Sequence, residues 1–103
     1  MRLEFHDEAV EDARDAFDWY AERSQRTAEQ FADLFEEAAV SIVRNPRTFS
    51  LVEEEGLRGE FRRFIMKKFK FSIIYHVGTE RLLVVAVAHP SRDPGYWTHR
   101  VRQ

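Results

Sequence analysis

The sequence predicts an α+β protein: a strand, a two-helix hairpin, and then a three-stranded antiparallel meander forming a small sheet packed on the helices. Three observations carry this. The apolar period is 3.6 residues through the first part of the chain and 2 from Leu57 onward. Asn45-Pro46 stands between the two regimes, and proline both lacks an N–H and pushes the residue before it out of the helical region. Gly78-Thr79-Glu80-Arg81 separates two apolar segments of strand length, as the turn of a hairpin does. With 103 residues, 44% of them hydrophobic and nine of them Phe, the chain has material for one core, so a single domain spanning 1–103 is expected.

Residues 2 to 6 read as a strand because Leu3 and Phe5 alternate with Arg2 and Glu4. Asp7 is the expected N-cap of the first helix, with Glu8 and Glu11 favourably placed in its positive first turn. Ala9, Ala13, Ala16, Phe17 and Tyr20 form its apolar face, and the acids between them read as a solvated one. The helix is expected to reach Arg23. Thr27 and Gln30 have the spacing of a capping box for the second helix, whose stripe is Ala28, Phe31, Leu34, Phe35, Ala38 and Ile42. Residues 47 to 56 read as an irregular, solvated loop. The segments 58–66, 71–77 and 82–88 follow as strands, and the last is apolar on both faces, which places it centrally with cover on each side. One cover is the helix hairpin; for the other, the C-terminal segment and a partner protein both stand open.

Several classes of function are excluded. There is no cysteine, hence no disulfide, thiolate metal site or cysteine nucleophile, which fits a cytoplasmic protein. No segment approaches the roughly 18 apolar residues that a membrane span needs, and no Gly-rich phosphate loop is present. His6, His76, His89 and His99 lack metal-ligand spacing. No metal, small-molecule cofactor or membrane partner is expected.

Charge is segregated along the chain. Residues 1–55 hold 15 acidic and 6 basic side chains, whereas residues 56–103 hold 3 acidic and 10 basic. The basic residues concentrate in Arg58, Arg62, Arg63, Lys67, Lys68 and Lys70. Such a cluster is either a solvated strand edge or a docking surface for an acidic segment or nucleic acid. A second group lies after the last strand, in a segment set by Pro90 and Pro94. His89 ends that strand, as a structural histidine or as part of a binding groove. Tyr96 and Trp97 stand near Arg92, Arg100 and Arg102, and either pack the tail on the sheet or anchor a partner, since Trp, Tyr and Arg dominate binding hot spots.

The order of elements, together with Phe5-His6-Asp7-Glu8-Ala9, Asp18-Trp19-Tyr20, Arg44-Asn45-Pro46, Gly56-Leu57-Arg58, Phe69 to Val77 and Val85 to Trp97, resembles the RelE/ParE superfamily of type II toxin-antitoxin toxins, the plasmid stabilisation protein type. Lys70 departs from it, standing where many relatives carry a proline in the turn. The resemblance implies a growth-inhibiting toxin and a cognate antitoxin whose disordered tail folds on binding. It implies one of two targets: DNA gyrase, bound without chemistry as by ParE-like members, or ribosome-bound mRNA, cut as by RelE-like endonucleases. An inactive binding module of the same fold is the third class. Leu83, Val85 and Val87 are expected to form a bare sheet face that the antitoxin tail covers.

Metal-free RNA cleavage needs a base, cations for the phosphorane charge and an acid. By resemblance, Arg63 and Arg92 match cationic positions of the RelE-type set. Ser72 stands where an arginine is expected, Ile65 where a lysine is, and Thr98 where a tyrosine is, with Tyr96 two residues earlier. The set is incomplete, so catalytic residues are left unassigned. The candidate target- or antitoxin-binding residues are Arg62, Arg63, Lys67, Lys68, His89, Arg92, Tyr96 and Trp97, and the ParE-like reading leads.

Overall fold

The computed structural model describes residues 1–102. Strand β1 (Arg2–Phe5) leads directly into α1 (Asp7–Arg23), and α2 (Gln25–Arg44) follows after the single residue Ser24. Both N-caps differ from those expected. His6 caps α1, its ring Nδ1 accepting the Glu8 N–H at 3.1 Å. Ser24 caps α2, its hydroxyl accepting the Thr27 N–H at 3.3 Å, so Thr27 is the third helical residue and not the cap. A side-chain acceptor placed just before the first turn satisfies the orphan N–H groups in either case. Helix α2 ends with Asn45 before Pro46, as the proline requires.

The fold class is α+β, but the sheet is larger than a three-stranded meander. It has five strands in the order β1-β5-β4-β3-β2, with β3 (Glu60–Ile65), β4 (Ser72–Val77) and β5 (Arg81–Ala88) antiparallel in sequence. Strand β1 lies parallel to β5, Leu3 opposite Leu82 and Phe5 opposite Val84, which makes the sheet mixed. Within the stretch read as a loop, β2 (Ser50–Leu51) pairs with Arg63 and Arg62, and the Val52 N–H continues the ladder to the Phe61 carbonyl at 2.8 Å. Two residues are too few to show an alternation, so backbone pairing makes this strand and side-chain pattern does not announce it.

The helix hairpin covers one face of the sheet, where Phe31, Ile42, Tyr75, Leu82, Val84 and Val87 share a core with Ala9 and Ala16. The other face is not bare, and this corrects the expectation of a surface left for an antitoxin tail. Phe61, Ile74, Val85 and Ala86 pack there around Trp97, with Val52, Leu57, Tyr96 and Val101 at the margin. A register shift between Ile74 and Tyr75 leaves Val85 without a direct partner, since Val84 pairs with Tyr75 and Ala86 with Ile74. One extra residue reverses the in-out alternation beyond it. Leu83 and Val85 therefore face the C-terminal segment, whereas Val87, expected on their side, faces the helices.

The β3–β4 connection turns through Lys70, which has φ +63°, in the left-handed region. Met66 and Phe71 close the loop with an N–H to carbonyl bond of 2.8 Å. A proline fixes φ near −65°, so the turn built here is one that a proline at position 70 would not permit.

Candidate functional site

Beyond the end of β1, the outer edge of β5 has lost its strand neighbour, and side chains take over its backbone groups. Asp12, on α1, accepts the Val87 N–H through Oδ2 at 3.0 Å, and Arg100 Nη1 donates to the Val85 carbonyl at 2.9 Å. Asp12 and Arg100 also pair with each other in a two-pronged contact, Nη1 to Oδ2 at 2.7 Å and Nη2 to Oδ1 at 3.1 Å. Their side chains are only 13% and 7% exposed. Arg100 Nε lies 2.8 Å from Glu8 Oε2, off the N–H axis, as an ion pair without a formal hydrogen bond. A buried carboxylate is stable only when paired and bonded in this way.

Asp12 was not singled out by sequence reasoning, which assigned the α1 acids to solvent. A signal existed: Asp12 follows Ala9 by three residues and precedes Ala16 by four, and both alanines are buried. It therefore stands on the apolar stripe and not opposite it. Arg100 was noted only as a neighbour of the aromatic pair.

The same Asp12 oxygen accepts the Tyr96 hydroxyl at 3.0 Å. Burial, and then the Asp12 carboxylate, push the Tyr96 phenol up to about 12. It therefore stays protonated and committed to Asp12, and is poorly matched to proton transfer near neutral pH. On the Tyr96 ring lies the Arg92 guanidinium, 3.8 Å from its centre.

Next to Arg92 a groove of about 420 Å³ opens between α1 and the end of β5. Ala16, Trp19, Tyr20, Phe71 and Val87 give it apolar walls, while Asp12, Asp15, His89, Ser91 and Arg92 line its polar side. Trp19 is 53% exposed, with the Arg23 guanidinium 3.6 Å from its ring centre. His89 Nδ1 accepts the Ser91 N–H at 3.0 Å and lies 2.7 Å from Ser91 Oγ. A backbone N–H only donates, so Nδ1 carries the lone pair and the neutral ring holds its proton on Nε2.

Of the residues singled out in sequence, the structure brings His89 and Arg92 to this groove, with Tyr96 behind them, beneath the Arg92 guanidinium. Trp97 is fully buried, its indole N–H donating to the Pro94 carbonyl at 2.9 Å. It fastens the tail and presents no surface to a partner, which corrects its reading as an anchor. The basic cluster is divided by the strand period. Arg62 turns to Glu60, 2.6 Å away, and to the Phe49 carbonyl at 2.7 Å. The Arg62 hydrogen bond holds the Glu60 carboxyl below the usual range. Arg63, the next residue along the strand, points to the opposite face. Lys68 reaches Gln30 of α2 at 2.7 Å, and Lys67 is exposed.

The positions compared with the nuclease set meet at one corner of the sheet. Ser72 pairs with Ile65 on one side and Ala88 on the other, just before His89 and Arg92. Ile65 is 56% exposed there. The corner thus presents an aliphatic chain and a hydroxyl. Among the described residues no group of three His, Asp or Glu side chains is placed to hold a metal, and no helix is long and apolar enough to cross a membrane.

A family model described as the ParE toxin of type II toxin-antitoxin system, parDE, matches residues 3–94. The chain belongs to the ParE toxin family. No curated protein matches it. The matched span takes in both helices, the five strands save Arg2 at the start of β1, and Arg92, and stops before Tyr96, Trp97 and Arg100. As a ParE-family toxin the chain has a cognate antitoxin as its implied partner.

Proposed function

We propose that this ParE-family toxin inhibits growth by binding a protein target, DNA gyrase being the leading one, and that it acts in the cytoplasm until a cognate antitoxin neutralises it by folding its disordered tail onto the surface. The observation that carries this reading is the corner formed by Ile65, Ser72 and Ala88. A nuclease needs positive charge set in advance around the phosphorane, and two of the positions that resemblance makes cationic are occupied by Ile65 and Ser72. Binding asks for something else: apolar surface with a few fixed polar groups. The groove beside Arg92 has that character, with exposed Trp19 at its rim. Arg92 and His89 are the contact residues of this reading, with Tyr96 beneath Arg92 as its support and Lys67 and Lys68 as peripheral charge. Arg62 and Trp97 serve the fold.

Induced expression in a bacterium, without antitoxin, tests it. Growth arrest with filamentation and a DNA-damage response, and inhibition of supercoiling by purified gyrase, are expected. Arrested translation with intact supercoiling would replace this reading with the mRNA endonuclease, and unimpaired growth would leave an inactive binding module.

A further inference from the structure

Of the side chains that fix Arg92, Asp12 lies within the span matched by the family, and Tyr96 and Arg100 come after it. Arg92 is exposed, and among the described residues no carboxylate pairs with it; its guanidinium lies on the Tyr96 ring, 3.8 Å from the centre. That ring is itself held. Its hydroxyl is bonded to Asp12, and the Arg100 guanidinium lies 5.1 Å from its centre. Asp12 in turn is tied to two nitrogens of Arg100 and to the backbone of β5. A continuous set of short contacts therefore runs from α1, through Asp12 and Tyr96, to a guanidinium at the mouth of the groove.

We propose that Arg92 is a receptor for a carboxylate of the toxin's protein target, preset by Tyr96 and Asp12 acting as positioning residues; this rests on the reading of Arg92 as a contact residue given above. The guanidinium fork matches a carboxylate in a planar, two-bond geometry. Stacking on Tyr96 removes freedom that a long surface side chain otherwise loses on binding. Asp12 is neutralised by Arg100, but Asp15 lines the same groove exposed, and it opposes the repeated charges of a polyphosphate backbone more than a single carboxylate held on Arg92. The apolar walls beside Arg92 suit a large side chain next to the carboxylate, which a protein segment supplies.

Two measurements test the proposal. In the purified protein, nitrogen relaxation of the Arg92 Nε–H is expected to give an order parameter above the flexible range, falling below about 0.6 in Tyr96→Leu. Tyr96→Phe keeps the ring but frees it from Asp12, and is expected to fall between the two. An Arg92 side chain as mobile in the wild type as in Tyr96→Leu overturns the presetting. In cells, the inducer dose that halves growth rate is expected to rise at least about tenfold, 1.4 kcal/mol of binding, in Arg92→Ala, Arg92→Lys and Tyr96→Leu. Adding Tyr96→Leu to Arg92→Ala is expected to change nothing further, because the two act as one unit. Full toxicity of Arg92→Ala removes the contact reading itself. Full toxicity of Tyr96→Leu beside an inactive Arg92→Ala overturns only the positioning, and full toxicity of Arg92→Lys overturns the carboxylate fork.

Discussion

Arg92 and Trp97 lie five positions apart in one segment, yet burial separates their roles. Trp97 is at the centre of the second core, between Phe61, Ile74 and Val85, so Trp97→Ala is expected to cost about 3–5 kcal/mol. Arg92→Ala, at an exposed side chain, is expected to stay within about 0.5 kcal/mol of wild type. Urea titration of the two variants distinguishes them, and equal loss from both would contradict the burial argument. Two tyrosines make a second residue-scale prediction. Burial pushes both Tyr75, whose hydroxyl donates to the Pro46 carbonyl at 2.6 Å, and Tyr96 up to about 12 from the ordinary value of 10. A phenol that holds its proton more tightly in the folded state contributes stability that is fully present below pH 10 and lost as pH rises toward 12. The melting temperature is expected to fall across that window and to fall less steeply in Tyr96→Phe. A flat profile in the wild type would show that neither phenol is held.

The β3–β4 turn tests the fold at the scale of an element. Lys70 holds φ +63°, and its N–H bonds to the Met66 carbonyl at 3.2 Å. Lys70→Pro removes that donor and demands the opposite sign of φ, so a loss of more than about 1 kcal/mol is expected. That corresponds to a melting temperature lower by roughly 4–8 °C for each kcal/mol in a domain of this size. A Lys70→Pro variant that melts as wild type would mean that the hairpin adopts a different turn. What was legible in the sequence at this scale followed its physical signals. The two helices and the strands β3, β4 and β5 carry periodicities long enough to read, and Pro46 marks the boundary between them. Strand β2 carries none, because two exposed residues have no alternation. The reversal of faces at Val85 was equally hidden, since a bulge depends on the partner strand and leaves no mark in an all-apolar segment. At the candidate site, Arg92 and Tyr96 were readable as residue types in a loop after the last strand. Their connection to Asp12 was not, because 84 positions separate Asp12 from Tyr96 and only the parallel return of β1 beside β5 brings α1 to that edge.

For the whole molecule, the uneven distribution of charge along the chain does not translate into one basic surface. Arg62 is consumed by Glu60 and Phe49, Arg63 faces the other side of the sheet, Lys68 bonds to α2, and Arg100 is buried against Asp12. Of the cations that remain exposed, Lys67, Lys68 and Lys70 share the β3–β4 turn while Arg58 and Arg92 stand apart from it in the chain, and the acids of α1 and α2 other than Asp12 are exposed. This bears on the chemistry left to the molecule. Each missing preorganised group costs about 3–4 kcal/mol of transition-state stabilisation. Two such absences, at the positions Ile65 and Ser72 that the resemblance to RelE-type nucleases makes cationic, correspond to a rate lower by roughly four to six orders of magnitude. The Tyr96 phenol does not offset this, because it is bonded to Asp12 and pushed up to about 12, well above the pH at which a general acid would act. Purified toxin added to translating ribosomes is therefore expected to give no codon-dependent cleavage above trace level in a toeprinting assay. Robust cleavage would require a cation from elsewhere to reach the Ile65–Ser72 corner. Lys67 and Lys68, in the turn that follows β3, are the side chains to replace first if it occurs, since Lys67→Ala and Lys68→Ala would then abolish an activity that the folded arrangement gives them no part in.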